Sequence, residues 1–136
     1  MASFVKYECF SETLAEKAHN LDTDVLKVAL TNTAPNVATH TTLADITEIS
    51  AGNGYTAGGT DTQNATSRAG GTTSITGVDV VWTASGGTIG PFRYVVLYND
   101  TTLDNLIGYW DYGSGVTLQI GETFTADFST SMFTVA

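Results

Sequence analysis

The side chains able to carry proton, nucleophile or metal chemistry in this chain are few and far apart: two histidines, His19 and His40, and a single cysteine, Cys9. Metal sites draw histidine and cysteine together at ligand spacing, and neither histidine has a second such residue beside it. Both therefore read as surface or turn-capping residues. A hydrolytic triad needs a serine or cysteine served by a histidine and an acid, but His40 lies in Thr-rich loop sequence with no nucleophile elbow near it. Cys9 sits between Glu8 and Phe10, with no adjacent cation to lower its pKa and no second thiol to pair with, so an inert thiol is expected.

Gly52, Gly54, Gly58 and Gly59 invite a phosphate-loop reading, yet no Gly-Lys-Ser or Gly-Lys-Thr and no amphipathic helix follows, which leaves turn chemistry. Asp22 with Asp24, and Asp100 with Asp104, are the best oxygen ligands for calcium, but neither pair belongs to a twelve-residue binding loop. Trp82, Trp110, Tyr109 and Tyr112 have the chemistry of a sugar-stacking platform. Trp82, however, shares a strand face with Val78 and Val80, and Trp110 alternates with Tyr109, so core or subunit interface is the expectation. No catalytic, cofactor or metal site is expected, and the chain reads as a non-enzyme.

Charge narrows the partners. Fourteen acidic and five basic residues give a net charge of −9 and a pI near 4.2. Lys6, Lys17, Lys27, Arg68 and Arg93 are scattered, so no basic patch exists to meet nucleic acid or an anionic membrane. No run approaches the ~20 apolar residues of a membrane span, and no basic-then-apolar leader opens the chain, so synthesis in a cytoplasm is expected. Asn64-Ala65-Thr66 and Asn99-Asp100-Thr101 fit the glycosylation acceptor pattern and are expected to be chance matches.

The elements that must position these residues are mostly strands. At 136 residues and 42% hydrophobic content the chain is sized for one domain with its own core, residues 1–136. Phe10, Leu14, Ala18 and Leu21 recur at helical spacing and predict a short helix over about Ser11 to His19, capped by Ser11, within an N-terminal arm of residues 1–21. From Val25 to Thr31 the alternation is that of a half-buried strand, with Leu26, Val28 and Leu30 on one face. Residues 32–60 then break the rhythm in a loop long enough to be functional or partly mobile.

From Val78 onward the period of two returns. Val78, Val80 and Trp82 share a face; Phe92 to Asn99 is apolar on both faces, as in a central strand covered on each side; Leu106 to Tyr112 follows, and Tyr112-Gly113-Ser114-Gly115 reads as a turn. Val116 to Ile120 places Leu118 and Ile120 inward, then Phe124, Ala126 and Phe128, then a terminal strand from Met132 to Val135. With no helical crossovers between them, these strands predict an all-β antiparallel sandwich with one short N-terminal helix, residues 22–136 forming the sandwich.

Four stretches carry a resemblance. The run Asp24-Val25-Leu26-Lys27-Val28-Ala29-Leu30-Thr31-Asn32-Thr33-Ala34-Pro35, then Ile46-Thr47-Glu48-Ile49 before the Gly-rich Ala51 to Gly59, then Trp82-Thr83-Ala84 before Gly90-Pro91-Phe92-Arg93-Tyr94, and Gly108-Tyr109-Trp110-Asp111-Tyr112-Gly113 resemble the jelly-roll cement, or decoration, proteins of tailed bacteriophage capsids. The similarity spans most of the chain from Ala18 onward. It implies a jelly-roll-like sandwich that assembles as a homodimer or homotrimer on the outside of the virion head and clamps neighbouring major capsid protein subunits.

Contact regions are expected where apolar or aromatic groups lie on segments with no evident internal role, the arm around Phe4, Tyr7 and Phe10 and the long loop around Asn53 and Tyr55, with the aromatics Trp110 and Tyr112; the alternative for Phe4 and Phe10 is to close one end of the sandwich. Loss of residues 1–8 is then expected to weaken head binding and spare the fold. The alternatives are a carbohydrate-binding module of an adhesion apparatus and a tail or connector component.

Overall fold

In a computed structural model that describes residues 2–136, the chain is a two-layer antiparallel β-sandwich with one short helix. Its elements are β1 (Phe4–Lys6), α1 (Cys9–Ala15), β2 (Leu26–Thr31), a 3-10 turn (Leu43–Asp45), β3 (Thr60–Asp61), β4 (Ala65–Ala69), β5 (Thr72–Thr76), β6 (Val80–Thr83), β7 (Ile89–Asn99), β8 (Asn105–Leu118), β9 (Thr123–Ala126) and β10 (Phe133–Val135). One layer is a five-stranded sheet in the order β1-β8-β7-β2-β3. The other is made of a three-stranded piece, β10-β5-β4, and a two-stranded piece, β6-β9.

Alternation sorts the large sheet's side chains into two sets. Leu26, Val28, Leu30, Val95, Leu97, Ile107 and Trp110 point into the sandwich, where they meet Ile75, Val80, Trp82, Ala126, Phe128 and Phe133 of the second layer. Ala29, Val96, Tyr98 and Leu106 point the other way and are equally buried. The continuous apolar run of β7 is therefore a strand covered twice, as its sequence predicts. Its second cover is residues 32–60, whose Val37, Leu43 and Ile46 pack with Tyr7 against that outer face. Antiparallel bridges from Glu48 to Thr31 and from Thr42 to Asn105 bind the segment to both sides of the sheet.

Several elements differ from the sequence expectation. The helix begins at Cys9, not Ser11, because Phe10 must enter the core, and it closes early at Lys17, which takes a left-handed conformation (φ 65°). Ser11 is not its cap; its hydroxyl donates back to the Glu8 carbonyl at 3.1 Å. Tyr112 to Gly115 is a bulge inside one 14-residue strand instead of a turn: Phe92 pairs with Val116 and Tyr94 with Asp111, so four residues of β8 face Arg93 alone. Ile120 and Val78 are exposed, since β8 ends at Leu118 before a turn and β6 begins only at Val80. Residues 61–68 divide between an edge strand of each layer.

The N-terminal arm is structural. β1 pairs with β8 in the register Phe4–Trp110, Val5–Tyr109, Lys6–Gly108, and Tyr7 is fully buried. Phe4 stacks on Phe133 at 4.9 Å and meets Trp110 edge-on at 5.3 Å. Its ring lies over Gly108, where a Cβ would strike it. The expectation that the arm can be removed without harm to the fold is thus corrected: truncation strips two aromatics from the core, and each large-to-small change of that kind costs ~3–5 kcal/mol.

Two outcomes are expected. Deleting residues 1–8 lowers the thermal midpoint by roughly 10 °C or more, or abolishes folding, read by circular dichroism. Gly59→Ala destabilises by ~2–4 kcal/mol in urea titration, because Gly59 has φ 80° and a Cβ there would collide with the Val28 carbonyl of β2.

Candidate binding surface

Of the seven residues expected to make contacts, the structure turns most inward. Tyr7, Phe10, Tyr55 and Trp110 are at most 3% exposed, and Phe4 and Tyr112 are half-buried, Tyr112 lying edge-on to Phe124 at 5.0 Å. Only Asn53 is exposed. Tyr7, Phe10 and Tyr55 are thus corrected from contact anchors to core, Phe4 and Tyr112 pack half-buried against it, and Trp110 takes the core place expected of it. Trp82 is also buried, so neither tryptophan offers a ring face to a sugar.

The Gly-rich loop is explained internally. Asn53 (φ 59°) and Gly54 (φ 109°) form the tip of a two-residue turn closed by the Gly52–Tyr55 bridge. The Asn53 amide donates to the Thr88 carbonyl at 3.0 Å. Glu48 accepts from the Tyr55 hydroxyl at 2.6 Å and from Gly58 N–H at 2.8 Å, while that hydroxyl accepts from Leu30 N–H at 3.1 Å. Burial, reinforced by the Glu48 carboxylate, pushes the Tyr55 hydroxyl far above its ordinary pKa. The loop thus lies against its own sheet. Glu48 is its organiser.

A polar network at one end of the sandwich occupies the remaining candidates for chemistry. His19 is buried, which corrects its expected surface position. Asn99 Oδ1 accepts from the N–H groups of Thr101 and Thr102 at 2.9 and 3.2 Å, so its amide nitrogen is the end that faces His19 Nδ1 (3.0 Å) and Asp24 Oδ2 (2.8 Å). His19 Nδ1 must then be unprotonated, and Nε2 carries the hydrogen toward Thr13 Oγ1 at 3.0 Å. Burial lowers the His19 pKa, opposed by the nearby Asp24 carboxylate. Burial also raises the Asp24 carboxyl, but hydrogen bonds from Asn20 N–H, Asn99 and Thr102 together hold it below the usual range.

Both glycosylation-type asparagines have structural work. Asn99 holds the network just described, and Asn64 ties the Leu21 and Asp24 carbonyls to Leu26 N–H. His40 Nδ1 accepts from Asn36 N–H in an exposed turn. The Cys9 thiol faces the carbonyls of His40, Thr41 and Leu106 at 3.8–3.9 Å, and burial raises its pKa. Asp100 pairs with Lys27 at 3.2 Å. Among the described residues no three His, Cys, Asp or Glu side chains converge as a metal ion would need, and no helix is long and apolar enough to cross a membrane.

What the surface does offer is a set of exposed apolar side chains: Leu103 and Ile120 in turns, Val78 ahead of β6, Val81 on the open face of β6, and, partly exposed, Val5 within β1 and Val25 just before β2. Leu103 is 84% exposed at the tip of the β7–β8 hairpin. Its sequence signal is an apolar residue set amid Asp100-Thr101-Thr102 and Asp104.

The class that this architecture defines is the all-β antiparallel sandwich. Comparison of the chain with protein-family models, curated proteins and solved structures returned no match.

The His19 network predicts an acid limb of stability. Because its folded pKa lies below the ordinary 6.5, the folded state binds fewer protons there than the unfolded one, and His19's contribution, whole above 6.5, is lost as pH falls below that value. The urea midpoint is expected to drop between pH 7.5 and 5, and His19→Gln to flatten that drop. Asp24 acts in the same direction but lower, its contribution disappearing only below about pH 4.

Proposed function

We propose that this protein is a structural component of a virion, a cement protein that binds the outside of a tailed-phage capsid and bridges neighbouring major capsid protein subunits. The observation that carries the reading is a doubly covered, internally satisfied β-scaffold that nonetheless keeps large apolar side chains in solvent, Leu103 and Ile120 foremost. Isolated exposed apolar residues are common. Here Leu103 and Ile120 cap turns of a protein whose buried polar groups are almost all engaged with one another, which suits adhesion better than turnover. The sequence resemblance to capsid cement proteins gives the adhesive surface its partner.

The physical task is modest per contact. Packed DNA pushes outward, and a shell is weakest where its subunits meet. A small oligomer spanning those seams adds contacts that must all break before the shell opens. When one copy of a symmetric dimer or trimer engages, the others are held at high effective concentration, which can add on the order of 10²- to 10⁴-fold in avidity without any new type of contact. The net charge of −9 keeps such copies soluble before they assemble.

Mass measurement in solution followed by mixing with purified, undecorated heads tests the reading. Saturation at a fixed ratio per capsid subunit, with heads that resist heat longer, is the expected result. Protein that stays monomeric and ignores heads overturns it. Binding to a glycan array instead would favour the adhesion-module reading, which the burial of Trp82 and Trp110 disfavours.

A further inference from the structure

The tip of the β7–β8 hairpin combines three properties rarely found together: exposure, backbone strain and bracing. Leu103 (φ 51°) and Asp104 (φ 52°) are both left-handed. For an L-residue this conformation costs ~1–2 kcal/mol, and glycine, asparagine or aspartate accept it most readily. Aspartate at 104 is therefore ordinary, whereas leucine at 103 is not. The two left-handed residues are the central pair of the tight turn that closes the hairpin; what is unusual is a leucine at the first of them, with its side chain 84% exposed.

The strain is held in place from three directions. Asn99 Oδ1 accepts from Thr101 and Thr102 N–H, Asn105 N–H returns to the Thr102 carbonyl at 3.2 Å, and the covering segment reaches over to bind the Asp104 carbonyl through Leu43 N–H at 3.0 Å and to give the Thr41 carbonyl to Leu106 N–H at 2.9 Å. The hairpin tip is a fixed apolar knob. Strained positions that the surrounding structure over-determines are concentrated at functional sites, and a rigidly presented anchor avoids the ordering entropy that a flexible loop loses on binding.

The charges around the knob indicate what it meets. Asp104 adjoins it, and Asp100 lies at the end of the same strand, paired with Lys27. Asp22 and Asp24 line an open depression of about 470 Å³ whose wall includes Thr102, the residue before Leu103. The cations of this end are Lys17, on the same depression, and the already paired Lys27. A second copy approaching through the same end would bring like charges together, which is unfavourable. The complement is an apolar socket rimmed by lysine or arginine.

We infer that Leu103 is the preorganised anchor by which this protein docks into a basic-rimmed apolar socket on a folded partner. The inference rests on the cement reading above, in which that partner is the outer surface of the major capsid protein. Leu103 fills the socket, and the surrounding aspartates speed encounter and fix orientation.

Leu103→Gly and Asp104→Asn separate this from a merely structural turn, with the full chain and purified undecorated heads as the probe. Leu103→Gly relieves the left-handed strain, so its melting temperature is expected to equal or exceed that of the parent, while its affinity for heads falls tenfold or more. Asp104→Asn is expected to slow association and to weaken its dependence on salt, with dissociation little changed. Leu103→Gly that binds heads like the parent overturns the anchor and leaves the cement reading standing. A solution dimer that dissolves on Leu103→Gly overturns it too, by assigning the tip to self-association. Parent protein that fails to bind heads overturns the cement reading and this inference with it.

Discussion

The structure depends on one constraint: strand β7 is apolar on both faces, so the sheet built around it must be covered twice. The second layer of strands covers one side, as in any sandwich. The other side has no second sheet available and is covered by irregular chain, residues 32–60 together with Tyr7. Most of the chain's less regular features follow from that need. The bridges at Glu48 and Thr42, the Glu48 carboxylate that gathers Tyr55 and Gly58, and Gly59 pressed against β2 all hold a loop against a sheet.

The polar interior obeys the same economy. Buried hydrogen-bonding groups are costly unless partnered, and at the end of β7 the partners are supplied by side chains because the strands have run out. Asn99 is the pivot. Two backbone N–H groups fix its oxygen, and that fixes its nitrogen, the tautomer of His19 and the donors on Asp24. Orphans remain at Tyr7 Oη and at Nε1 of Trp82 and Trp110, a small number for a core so rich in aromatic rings.

Strand periodicity made the architecture legible from sequence, including the two-faced burial of β7 and the inward set Leu26, Val28 and Leu30. Three features were not legible, each for a physical reason. Gly113-Ser114-Gly115 has turn composition, but composition cannot tell a reversal from a bulge, which depends on what the neighbouring strand does. The places that bury Phe4, Tyr7 and Phe10 are not visible locally, because strand β8 and its surroundings lie about a hundred residues away. His19 carried no pattern at all, since its partners Thr13, Asn99 and Asp24 meet only in the fold. At the candidate surface, aromatic composition points to rings that the fold buries, whereas Leu103, an apolar residue among polar neighbours, stands exposed.

The second layer is assembled like nested parentheses, β6 with β9 and β5 with β10, while β1 waits for β8. Pairings between such distant segments raise contact order, and high contact order slows folding because long loops must close before any contact rewards them. During synthesis Phe4, Tyr7 and Phe10 emerge long before the strand that shelters them. A chain of this topology leaves those rings unsheltered until β8 has been made, so its folding yield is expected to depend on kinetics as well as on the stability of the finished sandwich.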